Sequence, residues 1–98
     1  MTVTKTQNGK TLLIAVEGRI DTTTAPDFEE KSSFSDDISE LTLDFAGVEY
    51  ISSAGLRVVL KLQKKMNASG GKMKLINVCD AVMDVFDITG FVDILTIE

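Results

Sequence analysis

Hydrophobic and polar positions alternate in several short segments, and this alternation predicts β-strands. Val3–Gln7 predicts a short edge strand, and Thr11–Gly18 predicts an apolar, β-branched strand. The pair Asn8-Gly9 between them is the strongest hairpin signal in the sequence, so the two strands are expected to pair antiparallel. Leu41–Phe45 and Lys72–Val78 predict further strands.

Helix signals lie between and after these strands. A polar loop at Arg19–Thr24, with Thr24 as a possible N-cap, predicts a helix over Ala25–Ser33. After Leu41–Phe45, Ala46-Gly47 is expected to interrupt the strand. The segment Asp80–Thr89 predicts a short third helix with its apolar side turned inward.

The longest predicted helix follows the segment VEYISSAGLRVVL, in which the strand ends at Ile51. Ser52 and Ser53 stand at the helix N-terminus, and the helix is expected to run to about Ser69. Its apolar residues share one broad face that we assign to the core: Leu56, Val59, Leu60, Leu62 and Met66. Opposite lies an exposed stripe of Ser53, Arg57, Lys61 and Lys64.

The order of elements, a β-hairpin followed by alternating helices and strands, predicts an α/β fold. Alternation favours parallel strands joined by right-handed helical crossovers, and the opening hairpin makes the sheet mixed. A length of 98 residues fits one domain over residues 1–98.

Composition excludes several classes of function. A net charge of −5 with ten Lys and Arg argues against a nucleic-acid binder. The absence of histidine removes Ser-His-Asp catalysis and His metal sites. Neither a metal nor a cofactor is expected. No apolar run approaches the length of a membrane helix, which needs ~20 residues. The lone Cys79 fits a cytoplasmic protein.

The candidate chemistry lies at Ser52 and Ser53. Free N–H groups and the positive end of the helix dipole favour an anion there, so a phosphate on either serine would be stabilised locally. Gly55, one turn inside, suggests a position that needs close approach and open surroundings. On the residues alone, ordinary helix caps are the favoured interpretation of these serines. A serine nucleophile would need a base, and Lys61 is the candidate.

Four segments carry a resemblance to a known family. They are Glu17–Asp21 with Thr24–Pro26, Tyr50–Leu56, Gly70-Gly71 with Lys74-Leu75, and Val85–Phe91. In this order and spacing the chain resembles the STAS-domain anti-sigma factor antagonists over nearly its whole length. The resemblance implies a STAS-like mixed sheet with helices mainly on one face.

The resemblance also implies a function without catalysis. Such a protein binds an anti-sigma factor that is a serine kinase, is released when that kinase phosphorylates it, and is restored by a metal-dependent serine phosphatase. Carried over by position, the phosphoacceptor falls on Ser53. Partner contacts fall on Asp21 and Thr22, on Ser52 and Ser53, and on a helical surface: Gly55, Leu56, Arg57 and, by the charged stripe, Lys61.

One departure from the family pattern bears on the phosphoacceptor. Members commonly have Asp before the phosphoserine, where this chain has Ser52, so Ser52 is the fallback acceptor. Two alternatives stay open beside the antagonist: a STAS scaffold or sensor module without its own phosphoswitch, and a small hydrolase that uses Ser53. A module of an anion transporter has weak support, because the sequence shows no membrane segment.

Overall fold

Four strands form one mixed sheet in the order β1-β2-β3-β4 in the computed structural model, which describes residues 1–98. The strands are β1 Thr2–Asn8, β2 Thr11–Ile20, β3 Glu40–Ile51 and β4 Lys72–Ile76. β1 pairs antiparallel with β2, whereas β2, β3 and β4 run parallel to one another. The predicted sheet, a hairpin followed by parallel strands, is therefore confirmed.

Three helices connect or follow the strands. They are α1 Ala25–Lys31, α2 Ser53–Ala68 and α3 Asp80–Thr89. A short 3₁₀ turn at Phe91–Asp93 leads to Ile97, which forms an isolated parallel bridge with Leu75 beside β4. None of the helices combines the length and the hydropathy that a membrane-crossing helix requires.

The hydrophobic core lies on one face of the sheet. The buried residues of the two central strands alternate with half-buried ones such as Leu13 and Thr42. The buried set is Leu12, Ile14, Val16 and Ile20 in β2 and Leu41, Leu43, Phe45, Val48 and Ile51 in β3. Phe28 of α1, Val59 of α2 and Phe86 of α3 are 0% exposed in the same cluster of 22 residues. The helices thus cover the inner face, as predicted.

Two strands continue through residues that were predicted as a loop or a break. β3 continues through Ala46-Gly47, because a shift of register against β2 absorbs the extra residue instead of ending the strand. β2 continues through Arg19 and Ile20, because Ile20 still pairs with Ile51 of β3.

The buried face of α2 agrees largely with the prediction. Leu56, Val59, Leu62 and Met66 are buried as expected. Leu60 is only half-buried, whereas Val58 and Gln63 are buried at 5% and 7% exposure. The buried face is therefore wider than the apolar stripe alone indicated.

Candidate functional site

The candidate site lies at the sheet edge where β2 and β3 both end. Ile20 and Ile51, the last residues of these strands, are paired across the sheet. The loop after β2 carries Asp21 and Thr22, and the step after β3 carries Ser52. The backbone N–H of Ser52 donates to the Ile20 carbonyl oxygen at 2.8 Å. The loop after β2 and the start of α2, both predicted to contact a partner, are therefore neighbours.

Ser52 is the N-cap of α2. Its backbone is extended, with φ −92° and ψ 174°, and its hydroxyl oxygen accepts from the Gly55 N–H at 3.3 Å. Its carbonyl oxygen accepts from the Leu56 N–H at 2.9 Å. The half-buried Ser52 hydroxyl is thus already used to cap the helix.

Ser53, the first residue of α2, is exposed, and its hydroxyl makes no hydrogen bond. The N–H groups in the first turn of a helix have no carbonyl oxygen one turn earlier to which they could donate. In α2, Ser52 accepts hydrogen bonds from only two N–H groups, those of Gly55 and Leu56. The N–H groups of Ser53 and Ala54 are left for an external anion. Of the two candidate serines, the geometry leaves Ser53 as the accessible one.

Gly55 and Leu56 were predicted as part of the partner surface, but both are buried. A Cβ on Gly55 would lie 2.5 Å from Ile20 Cγ2 and 2.8 Å from Ile51 Cγ1. Leu56 retains 5% exposure and belongs to the core. The open surroundings expected at Gly55 are absent, because the close approach is between the helix backbone and the core.

Asp21 organises the loop between β2 and α1. One carboxylate oxygen, Oδ1, accepts from the backbone N–H groups of Thr23 and Thr24, both at 3.0 Å. The pKa of Asp21 lies below its ordinary value, and the main cause is the hydrogen bond from the Thr24 N–H. The Thr24 hydroxyl, the Thr23 N–H and the Arg19 charge lower the pKa further, whereas partial desolvation raises it. The carboxylate therefore holds the loop in shape, with Thr22 exposed at its tip.

Thr24 does not cap α1 with its side chain, contrary to the sequence prediction. Its own backbone is already helical, with φ −94° and ψ −18°. Its hydroxyl instead donates to the Arg19 carbonyl oxygen at 2.7 Å and accepts from the Asp21 N–H at 2.9 Å. The hydroxyl therefore ties the loop back onto the end of β2.

Arg19 and Tyr50 form a contact that the sequence did not reveal. The Arg19 guanidinium carbon lies 4.3 Å from the centroid of the Tyr50 ring, and its Nε lies 3.9 Å from Asp21 Oδ2. The register of β2 against β3 places the two residues side by side. Cation–π stacking thus covers part of Tyr50, which is 39% exposed beside the site.

A groove of about 270 Å³ runs between α1 and α2 next to Ser53. Its lining residues are Thr22, Ala25, Pro26, Glu29, Ala54, Arg57, Val58 and Lys61. Lys61 Nζ lies 2.7 Å from Glu29 Oε1, so this cation bridges the two helices. Arg57 is exposed and makes no salt bridge. The predicted basic stripe therefore presents Arg57 as its free charge nearest Ser53.

The structure does not pair Ser53 with the base that a serine nucleophile would need. Lys61, the candidate base, is paired with Glu29 and makes no hydrogen bond with Ser53. No group of His, Cys, Asp and Glu forms a metal cluster. Cys79 lies near the start of α3, where its Sγ contacts the Val48 carbonyl oxygen at 3.4 Å.

The family model of the STAS domain matches residues 2–98. The chain belongs to the STAS domain family. This STAS domain is 32% identical over 93 residues to the anti-sigma-B factor antagonist of Bacillus subtilis, covering 94% of this chain and 85% of that protein. The match therefore includes both loops of the site and α2.

Solved structures share the fold of this STAS domain. The anti-sigma factor antagonist SpoIIAA in its unphosphorylated form superposes with a TM-score of 0.83 at 19% identity, covering 99% of this chain and 88% of that one. SpoIIAA in its phosphorylated form gives a TM-score of 0.76 at 18% identity, covering 99% and 91%. At these identities the likeness shows the fold alone.

Proposed function

We propose that this STAS domain is an anti-sigma factor antagonist controlled by phosphorylation of Ser53. In the unphosphorylated form it binds an anti-sigma factor that is also a serine kinase, and so controls the availability of a sigma factor. The observation that carries the proposal is the exposed, unbonded hydroxyl of Ser53 at the N-terminus of α2. The relative from Bacillus subtilis, an anti-sigma-B factor antagonist by name, supports it.

The surface proposed for the partner surrounds Ser53. It consists of the exposed Thr22, Ser53, Arg57 and Lys61 with the half-buried Asp21 and Ser52 at its base. Gly55 and Leu56 support this surface from the core and offer it no exposed side chain. An acidic side chain of the partner would find Arg57 and the free N–H groups of Ser53 and Ala54 together.

Phosphorylation of Ser53 would prevent an acidic partner group from binding there. A phosphate on Ser53 adds a charge of about −2 and three acceptor oxygens at the same N–H groups. The phosphate would compete for Arg57, one turn along α2, and repel an acidic partner group. A metal-dependent serine phosphatase would then restore the binding surface.

The test uses the protein with candidate serine kinases and ATP, followed by intact mass and peptide mapping. We expect an increase of about 80 Da that maps to Ser53 and disappears in Ser53→Ala. Ser52→Ala is the matched control, because its hydroxyl caps the helix; it should still be phosphorylated. Stoichiometric phosphorylation of Ser53→Ala would contradict the assignment and point to Ser52.

The switch is tested separately by binding. Ser53→Asp should bind the anti-sigma factor at least about tenfold more weakly than the wild type, because a carboxylate stands where the phosphate would. Equal affinity of Ser53→Asp, together with no phosphorylation of the wild type, would favour the scaffold or sensor module without its own phosphoswitch.

A further inference from the structure

The whole net charge of the protein lies in its last quarter. All ten Lys and Arg fall within residues 1–74, where an equal number of Asp and Glu balances them. The remaining acidic residues follow without a single cation, and they account for the net charge of −5. They are Asp80, Asp84, Asp87, Asp93 and Glu98. Four of the five therefore lie on α3 and the turn behind it, whereas Glu98 forms a salt bridge with Lys74.

The acidic residues of α3 are exposed and unpaired. Asp80, Asp84 and Asp87 follow each other at intervals of four and three, so they form one row along the helix. None of them takes part in a salt bridge or a side-chain hydrogen bond, and the same holds for Asp93. No residue of this chain neutralises the row.

An apolar row runs beside the acidic one. Ala81, the half-buried Val85 and Ile88 follow the same spacing of four and three. Ile88 is 87% exposed, and Ile94, after the turn that follows α3, is 51% exposed. The other exposed large hydrophobic residue, Tyr50, is stacked under Arg19. The end of α3 is thus the place where bare apolar and acidic surface meet.

We infer that this face of α3 is a docking surface for a basic amphipathic helix of a partner protein. Two rows on a helix, each about 11 Å long, match a second helix with apolar residues at the same intervals flanked by Lys or Arg. The unpaired carboxylates would meet those cations, and Ile88 would be buried between the helices. The surface shares no residue with the proposed Ser53 surface.

Other occupants fit less well. An anionic lipid surface would be repelled by four carboxylates. A second copy could offer only α2 as a basic helix, and its apolar residues Val58 and Leu62 are turned into the core. A partner helix that exposes both kinds of residue satisfies both rows.

The test is an NMR titration of the isotope-labelled protein with a synthetic two-heptad Leu/Lys helical peptide. We expect shifts in the amides of residues 80–94. Ile88→Ser should weaken the affinity about tenfold, because it removes the apolar contact. Asp84→Asn with Asp87→Asn should weaken it about fivefold. The matched control, Asp36→Asn, removes an exposed charge elsewhere and should leave the affinity unchanged.

Peptide controls separate docking from general attraction between charges. The same peptide with Glu for Lys, and one with Gln for Leu, should cause no shifts in α3. Equal binding of the Gln peptide, shifts outside residues 80–94, or unchanged affinity in both α3 variants would overturn the proposal. Concentration-dependent dimerisation that Ile88→Ser abolishes would overturn it in favour of a second copy.

Discussion

At the scale of single residues, Asp21 and Ser53 have opposite tasks within one site. The Oδ1 atom of Asp21 accepts hydrogen bonds of 3.0 Å from the N–H groups of Thr23 and Thr24 in the loop. The hydroxyl of Ser53 makes no hydrogen bond. The resemblance assigns both residues to the partner surface, and the contacts separate them into a residue that shapes the surface and one that offers chemistry.

The task of Asp21 predicts a pH dependence. Its pKa is lowered in the folded state, so the ionised form contributes stability that is present above the ordinary value of 3.8 and is lost as the pH falls through the lower, folded value. Asp21→Asn keeps a carbonyl acceptor but no charge. At neutral pH we expect the variant to have a smaller free energy of unfolding than the wild type.

Urea unfolding between pH 7 and pH 2 measures this difference. The gap between Asp21→Asn and wild type should narrow as the pH falls below about 3.8. Asp36→Asn, at a side chain that is 96% exposed, provides the control and should show no such trend. A gap that stays constant across this range would mean that the Asp21 charge does not stabilise the loop.

At the scale of elements, the N-terminus of α2 depends on Ser52. Ser52→Ala removes the bond to the Gly55 N–H, so we expect the free energy of unfolding to fall by about 1 kcal/mol. Ser52→Asp should restore that stability, because a carboxylate caps as well and favours the helix dipole. Ser53→Ala breaks no hydrogen bond and should lie within about 0.5 kcal/mol of the wild type.

Thermal and urea unfolding of these three variants test the assignment of the cap. If Ser53→Ala is as destabilised as Ser52→Ala, the two serines share the capping task, and the distinction between them is wrong. If Ser52→Asp is less stable than Ser52→Ala, the N-terminus of α2 does not favour negative charge.

The packing of α2 on the sheet predicts a second effect. Gly55→Ala places a methyl group within 3.0 Å of Ile20 and Ile51, which costs about 1–3 kcal/mol in a filled core. The gain in helix propensity returns only about 1 kcal/mol. We therefore expect a net loss of stability by chemical denaturation, while Lys64→Ala on the exposed face of α2 stays near the wild type. An unchanged or higher free energy of unfolding for Gly55→Ala would show that Ile20 and Ile51 shift to accommodate the methyl group.

At the scale of the whole molecule, the sequence predicted the elements better than their ends. Alternation and the Asn8-Gly9 turn identified the hairpin, and the apolar stripe identified the buried face of α2, because both patterns are local. The salt bridge between Lys61 and Glu29 joins residues that are 32 positions apart, and no local sequence pattern predicts it. The hydrogen bonds by which Asp21 holds the loop before α1 were not predicted, because Thr24 is also a residue type that caps helices.

The site was predictable to a similar degree. The helix N-terminus at Ser52 and Ser53 followed from the change between strand and helix signals, but only the contacts show which serine caps. The burial of Gly55 follows from the pairing of Ile20 with Ile51 beneath it, which depends on the register of the sheet, whereas the burial of Leu56 follows from the apolar stripe of α2. Residue types therefore locate the site, and tertiary packing assigns the roles.

The anchoring of α2 has a consequence for timing under the proposed function. The step from β3 into α2 is fixed by the Ser52 bond to Ile20 and by the packing of Gly55 against the core. A phosphate at Ser53 would change the charge of a segment that these contacts already anchor. Such a switch would need no refolding of this segment, so hydrolysis of the phosphate would itself restore the original surface. The response time would then be set by the kinase, the phosphatase and partner dissociation, and not by the protein's own relaxation.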